Sequence, residues 1–227
     1  MPSTSIREFA DNAADPKVRG YLHTPETSNG DGLVLTHGAG ANAQSPLLIG
    51  LAETFSGAGF TVLRCDLPFR QSRSFGPPGP ADAVRDRAGL ENALAAMRKL
   101  VTGKIYLGGH SYGGRQSSIL CAELSKGEAD LVQALLLLSY PLHPPRKPEQ
   151  QRTQHLPDLH TPTLFVHGTR DPFGSIAELE RALKMIPAKM KLLVIEGAGH
   201  DLGFKGKMKR QELPELILGE FTQLLSS

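Results

Sequence analysis

The sequence predicts an α/β protein with a mostly parallel β-sheet, helices on both faces of the sheet and no large cap domain. Short apolar runs alternate with amphipathic runs along the chain. The apolar runs are continuously hydrophobic, which is typical of parallel strands covered on both faces. The 227 residues, of which 40% are hydrophobic and 21% charged, suit a single domain over residues 1–227.

The first half of the chain supplies three predicted strands and two helices. The strands are Val18–Leu22, Gly32–Thr36 and Thr61–Asp66. Ser45 and Pro46 have the residue types of an N-cap and a first helical position. A loop rich in Pro, Gly and Arg follows the third strand. The apolar positions at helical spacing are Leu48, Leu51, Ala52 and Phe55 in the first helix and Leu90, Leu94, Met97 and Val101 in the second.

The second half repeats the alternation of strand and helix. Ser175 and Glu178 form a capping-box pattern before one amphipathic run, and Pro214 opens the last helix. The remaining elements are strands at Lys104–Leu107, Ala134–Ser139, Thr163–His167 and Lys191–Ile195, a helix at Tyr112–Ser125, and helices carrying Ile176, Leu179, Leu183, Ile186 and Ile217, Phe221, Leu224.

Composition excludes several classes of protein. Lys plus Arg number 25 and Asp plus Glu 23, a near-balance that argues against a nucleic-acid binder. No apolar run approaches the ~20 residues of a membrane span, and no secretory signal is visible, so we expect a cytoplasmic protein. Cys65 and Cys121 are predicted to be buried core thiols. Metal-binding sequence motifs are absent, so we expect neither a metal nor a cofactor.

A nucleophile elbow is the strongest chemical signal. The strand ending in Leu107 leads into Gly109-His110-Ser111-Tyr112-Gly113, which enters a helix. This is the G-x-S-x-G pattern in its required strand-to-helix context, where the serine protrudes at a strained turn. A serine hydroxyl is a poor nucleophile at neutral pH and needs a base. A base and an acid are therefore expected at the carboxyl ends of other strands.

Two such strand ends supply the remaining members of a triad. His200 follows the last strand, and Asp171 follows the strand Thr163–His167. The chain order Ser111, Asp171, His200 is the order of hydrolase triads. Histidine is predicted as the base and the aspartate as the group that fixes its tautomer.

An oxyanion hole requires two backbone N–H donors. One is expected at Tyr112, directly after the nucleophile, and the other in the turn after the strand Gly32–Thr36. Within that turn Ala39 is the preferred donor and Gly40 the second choice, also a possible substrate contact. His37 is predicted to be structural and to hold the loop.

These motifs resemble the α/β hydrolases over roughly residues 15–225. The segments THGAGA, GGHSYGGR, FVHGTRDPFG and EGAGHD are similar to those of small, lidless bacterial hydrolases related to dienelactone hydrolases. The subgroup includes eukaryotic testis-expressed and chromatin-complex proteins. The resemblance implies Ser111 as nucleophile, Asp171 as acid and His200 as base. Dienelactone hydrolases use a cysteine nucleophile, whereas this chain has Ser111.

Three arginines lie near the predicted site. Arg70 and Arg73 are in the loop after the strand Thr61–Asp66, where a guanidinium could bind an anionic substrate group; otherwise they are solvated or pair with Asp66. Arg115 is in the first turn of the helix after the nucleophile, where a cation opposes the helix dipole. That position indicates a specific partner, and a buried ion pair is the simpler interpretation.

The segment Tyr140–His160 occupies the place where larger hydrolases insert a lid. It has too few apolar residues for a helical lid, so we expect a Pro-rich loop bordering the site. His143, His155 and His160 are predicted to be structural or solvated. A basic run after the predicted base is interpreted as solvated surface and consists of Lys205, Lys207, Lys209 and Arg210.

Three functions remain open at this point. The first is a serine hydrolase that cleaves small esters or thioesters through an acyl-enzyme. The second uses the same triad with another acceptor, such as peroxide, as a cofactor-free perhydrolase or acyltransferase. The third is a non-catalytic interaction module on a hydrolase scaffold. The first two predict a small-molecule partner, and none predicts an oligomeric state.

Overall fold

The computed structural model describes residues 4–124, 131–204 and 212–226. Within these residues the strands are β1 (Thr4–Asp11), β2 (Val18–Pro25), β3 (Gly32–Thr36), β4 (Thr61–Cys65), β5 (Ile105–His110), β6 (Ala134–Leu138), β7 (Thr163–Gly168) and β8 (Met190–Ile195). The helices are α1 (Pro46–Gly57), α2 (Pro68–Ser72), α3 (Asp82–Arg98), α4 (Tyr112–Leu124), α5 (Ile176–Leu183) and α6 (Leu213–Ser226), with a 3₁₀ turn at Leu156–Asp158.

The strands form one sheet in the order β1-β2-β4-β3-β5-β6-β7-β8. The pairings from β4 to β8 are all parallel, whereas β1 and β2 are antiparallel at one edge. The carboxyl ends of β3, β5, β7 and β8 therefore meet at the same edge of the sheet. This edge carries every residue of the predicted triad and oxyanion hole.

Two apolar layers cover the sheet. Leu48, Leu51 and Phe55 of α1 and Ile217 and Phe221 of α6 are fully buried on one face. The opposite layer is filled from α3, α4 and α5, with Leu90, Leu94, Met97, Leu120, Cys121, Leu179 and Leu183. The predicted fold class is confirmed: a mostly parallel sheet has helices on both faces, and the described residues include no large cap domain.

Some local predictions differ from the structure. Strand β1 was not predicted, because the sequence TSIREFAD is polar and largely exposed on an edge strand and so carries no apolar run. The loop rich in Pro, Gly and Arg contains α2. Ser45 does stand at the N-cap of α1, but its side chain makes no capping hydrogen bond. The capping box of Ser175 and Glu178 is confirmed.

The structure also bears on the predictions for the two cysteines and for the segment after β6. Both thiols are buried, and burial raises the pKa of Cys65 and of Cys121 to about 12. The segment 140–160 is a loop with one 3₁₀ turn, as expected. None of the helices in the described ranges combines the length and apolar character needed to span a bilayer. The basic run at 205–210 lies outside the described residues.

Candidate active site

Ser111 stands at a strained turn between β5 and α4. Its φ is +52°, in the left-handed region that side chains other than glycine rarely adopt. Small neighbours make this turn possible: a Cβ on Gly109 would lie 2.6 Å from the Gly114 nitrogen, and one on Gly113 would lie 2.5 Å from the His37 carbonyl oxygen. The glycines therefore let the start of α4 approach both β5 and the loop after β3.

The structure brings the three predicted triad residues into one hydrogen-bonded line. The Nε2 atom of His200 is 2.8 Å from the Oγ atom of Ser111, and its Nδ1 atom is 2.8 Å from Oδ2 of Asp171. When Nδ1–H donates to the carboxylate, Nε2 carries a lone pair that can accept the serine proton. The arrangement suits activation of the hydroxyl as a nucleophile.

Asp171 is held as a carboxylate although its side chain is fully buried. Burial raises its pKa, but hydrogen bonds from His200 and from the Phe173 N–H outweigh that effect, so the pKa lies below its usual value. The Phe173 N–H donates to Oδ1 at 2.9 Å, which leaves Oδ2 for His200. His167 is anchored on the Gly174 carbonyl at 2.8 Å and lies 3.9 Å from Oδ2.

Two further residues position His200, the predicted base, and neither was predicted from the sequence to do so. The ring of Phe173 lies 4.2 Å from that of His200, centroid to centroid, with 31° between the planes. His110 Nε2 is 2.7 Å from the His200 carbonyl oxygen, so this nitrogen donates. The place of His110 beside the serine in G-x-S-x-G was an available signal, whereas nothing local indicated Phe173.

The predicted oxyanion donors have the required freedom. Within the described part of the chain, no protein acceptor takes a hydrogen bond from the backbone N–H of Ala39 or Tyr112. Gly38 packs tightly beside them, since a Cβ there would lie 3.3 Å from the Ser111 Cβ atom. A Cβ on Gly40 would meet nothing within 4 Å, so this position borders open space. Its contact with substrate stays a prediction.

The Tyr112 side chain is also anchored. Its hydroxyl donates to Asp86 Oδ2 at 2.7 Å, and the Phe69 N–H donates to Oδ1 of the same carboxylate at 2.9 Å. Asp86 is fully buried, and burial raises its pKa. This carboxylate connects the first residue of α4 to α2 and so fixes the residue predicted to supply one oxyanion donor.

His37 holds the loop after β3 as predicted; this loop, residues 37–41, is called the oxyanion loop because it carries a predicted oxyanion donor. Its Nε2 accepts a hydrogen bond from the Leu67 N–H at 3.1 Å, and its Nδ1 is 2.8 Å from the Gly38 carbonyl oxygen. These contacts require a neutral ring with the proton on Nδ1. Burial lowers the pKa of His37, which favours the same neutral form.

The contacts of Arg70 indicate a positioning role, and its binding of substrate stays a prediction. Its Nε donates to the Ala41 carbonyl at 2.9 Å and its Nη2 to the Ala39 carbonyl at 2.7 Å. Further bonds reach the carbonyls of Gly76 and Arg73 at 3.1 and 3.3 Å. Because the guanidinium donates to backbone oxygens, we expect Arg70 to position the oxyanion loop.

The two other arginines near the predicted site, Arg73 and Arg115, have different environments. Arg73 pairs with Asp82 rather than with Asp66. The ion pair expected for Arg115 is not found, because no carboxylate among the described residues lies within ion-pair distance of it.

The three histidines of the segment 140–160 have the structural or solvated surroundings predicted for them. His143 faces Glu178 at 3.6 Å, His155 contacts Ser118 at 2.8 Å, and His160 is exposed. No described group of three or more His, Cys, Asp or Glu side chains could hold a metal ion.

Gly113→Ala is expected to lower both stability and activity. The new methyl group would overlap the His37 carbonyl, so the oxyanion loop or α4 must move. We expect a loss of about 1–3 kcal/mol in the free energy of unfolding, measured in urea, and a lower kcat/KM. Gly219→Ala in α6 is the matched control, since a Cβ there meets nothing within 4 Å, and it should raise stability by up to about 1 kcal/mol. Equal changes in the free energy of unfolding for Gly113→Ala and Gly219→Ala would show that the close packing of Gly113 is not important for stability.

Arg70→Ala is expected to act mainly on kcat. Complete loss of one oxyanion donor lowers kcat by about 10²–10³-fold, and here the donor is displaced rather than removed, so we expect a fall of about 10–100-fold. Because the guanidinium donates to backbone carbonyls, KM should change much less. Arg85→Ala, which removes an exposed ion pair with Asp15, is the control. A rise in KM with unchanged kcat would instead assign Arg70 to substrate binding.

The class of protein follows from a family comparison. Residues 29–218 match the model of the alpha/beta hydrolase domain family, and the chain belongs to this family. The resemblance inferred from the motifs is thereby confirmed. Membership of a hydrolase family also supports the prediction that the protein is an enzyme.

Solved structures of the same fold include lidless and dienelactone hydrolases. A dienelactone hydrolase from Anabaena variabilis is 23% identical, with a TM-score of 0.74 over 97% of this chain and 98% of that one. Est1E from Butyrivibrio proteoclasticus is 18% identical, with a TM-score of 0.74 over 97% and 99%. An α/β serine hydrolase without a lid from Xanthomonas campestris is 16% identical, with a TM-score of 0.73 over 97% and 94%.

Proposed function

We propose that this protein is a serine hydrolase that cleaves small ester or thioester substrates through an acyl-enzyme. The observation that carries the proposal is the line of two 2.8 Å contacts from Ser111 through His200 to Asp171. An interaction module has no physical need for a serine at a strained turn that is hydrogen-bonded through a histidine to a buried carboxylate. The arrangement therefore favours the enzyme over the interaction module.

The chemistry proceeds in two halves. Ser111 Oγ attacks the carbonyl carbon while its proton moves to His200 Nε2, and Asp171 stabilises the imidazolium that forms. The N–H groups of Tyr112 and Ala39 stabilise the oxyanion. His200 then gives the proton to the leaving oxygen or sulfur, which leaves an acyl group on Ser111. Water attacks this acyl-enzyme by the same route and releases the acid.

The substrate class rests on the loop that takes the place of a helical lid and on the neighbours in fold. The segment after β6 is a loop rather than a helical lid, so the triad suits small or accessible esters. One neighbouring structure is Est1E with ferulic acid bound, and another is a dienelactone hydrolase. Both neighbours are consistent with acyl chemistry.

Intact-mass analysis with a fluorophosphonate probe tests the proposal. An activated serine should take one adduct, and peptide mapping should locate it on Ser111. Protein unfolded in urea is the control and should take none. A screen of short-chain esters and thioesters at neutral pH then measures turnover. Folded protein that takes no adduct and hydrolyses none of these compounds would overturn the proposal.

A further inference from the structure

Among the described residues, two half-buried arginines that influence each other have no acidic partner. Arg115 is in the first turn of α4, and Arg152 is in the segment after β6. The Nε atom of Arg115 is buried and has no hydrogen-bond acceptor. Among the described residues, no carboxylate lies within ion-pair distance of either guanidinium. A buried charged donor left without an acceptor is costly, so this pair calls for a ligand.

The Arg152 side of this cluster is preformed. The Arg152 N–H donates to the Leu142 carbonyl at 2.8 Å, and its Nη1 donates to the Pro141 carbonyl at 3.2 Å. The buried Tyr140 hydroxyl donates to the Arg152 carbonyl at 2.6 Å and lies beside the Arg115 guanidinium. These bonds fix the backbone of Arg152 before any ligand arrives.

The electrostatics of the cluster favour an anion. Burial and the neighbouring Arg115 lower the pKa of Arg152. Burial and Arg115 also lower the pKa of His155 to about 4, although Asp158 acts in the opposite direction, so His155 is neutral at physiological pH. It contacts the Ser118 hydroxyl at 2.8 Å. Two positive charges thus share a partly desolvated space, and an anion between them would relieve their repulsion.

The position of the cluster relates it to the reacting bond. Ser111 and Arg115 are four residues apart at the start of α4, and the Arg115 N–H donates to the Ser111 carbonyl at 2.9 Å. Side chains four apart lie on one face of a helix, and they lean toward its N-terminus, which here carries the nucleophile. The N-terminal end of the helix dipole adds positive potential at the same place.

We propose that Arg115 and Arg152 bind an anionic group of the substrate, a carboxylate carried by its acyl part. The proposal rests on the proposed hydrolase function and names its substrate class. Guanidinium groups bind carboxylates through paired N–H donors, and the half-buried position leaves the site reachable from solvent. An ester whose acyl chain ends in a carboxylate a few bonds from the carbonyl would occupy both this site and the triad.

A matched pair of esters tests this specificity. Proton release is followed for monomethyl glutarate and methyl valerate, which have the same five-carbon acyl chain with and without a terminal carboxylate. The wild type should prefer the glutarate ester by about tenfold or more in kcat/KM. Arg115→Gln and Arg152→Gln should each reduce that preference by about tenfold. Lys147→Gln, which removes an exposed cation from the same loop, should leave it unchanged.

The binding of free anions separates this proposal from the hydrolase function. Glutarate should raise the melting temperature of the wild type and not that of Arg115→Gln. If neither ester is hydrolysed, the hydrolase function fails with these substrates, and the glutarate shift alone then supports or overturns the anion site. If inorganic phosphate gives the shift but the wild type has no preference for the glutarate ester, the site binds a free oxyanion and the substrate proposal is overturned.

Stability without ligand distinguishes a binding site from a structural cluster. In buffer free of small oxyanions, Arg115→Gln should be at least as stable as the wild type, because it removes a repulsive charge whose Nε–H has no acceptor among the described residues. A marked loss of stability in that buffer would assign Arg115 a structural role and overturn the proposal. Arg152→Gln provides the second variant if Arg115→Gln does not fold.

Discussion

Ser111→Ala is expected to lower kcat/KM for any hydrolysed ester by about 10⁴-fold or more. The hydroxyl is the atom that forms the acyl-enzyme, and without it only binding and the oxyanion donors remain. The fold should persist, because the side chain is small and its Oγ makes its hydrogen bond to His200. Alanine keeps the Cβ atom against which Gly38 packs. Steady-state kinetics with purified wild type and variant, together with thermal unfolding, measure both effects.

Ser74→Ala is the control for this result. Ser74 is exposed in the loop after α2, so its hydroxyl should contribute nothing to turnover. Fluorophosphonate should label this variant as it labels the wild type, while Ser111→Ala should remain unlabelled. Near-normal ester turnover in folded Ser111→Ala would show that another group performs the chemistry and would refute the assignment of the triad.

Asp171→Asn is expected to lower kcat by about 10⁴-fold while the structure around the side chain changes little. An asparagine amide fills the same buried space, and its oxygen can still accept the hydrogen bond of the Phe173 N–H. Its NH₂ group would then donate to Nδ1 of His200, which forces the proton onto Nε2. A base with its proton on Nε2 cannot accept the proton of Ser111. The loss therefore comes from the wrong tautomer rather than from collapse of the site.

The pH dependence and a surface control complete this test. Residual activity of Asp171→Asn should rise with pH, since hydroxide can replace the missing base. Asp15→Asn, which removes an acid from an exposed ion pair with Arg85, should keep normal kcat at every pH. An Asp171→Asn enzyme with normal kcat at neutral pH would mean that His200 needs no carboxylate, and the proposed mechanism would be wrong.

The sequence by itself determined the fold class and placed the three predicted triad residues at strand ends, where the structure brings them together. Continuous apolar runs identify buried parallel strands because hydrophobic pattern is a local property. The G-x-S-x-G turn, Asp171 and His200 could be found because each directly follows such a strand, and parallel strands end at one edge. The element most clearly missed, β1, is a polar edge strand whose pairing with β2 leaves no hydrophobic pattern.

Only the tertiary structure decided what the arginines and the residues around the base contact. Arg70 looked like a substrate ligand by its place after β4, but its guanidinium reaches carbonyls some thirty positions earlier, at Ala39 and Ala41. Arg115 indicated an ion pair, but the fold places it beside Arg152. Such contacts join segments far apart in the chain and depend on the distances between loops. Local periodicity and spacing carry no information about those distances, so packing alone decides them.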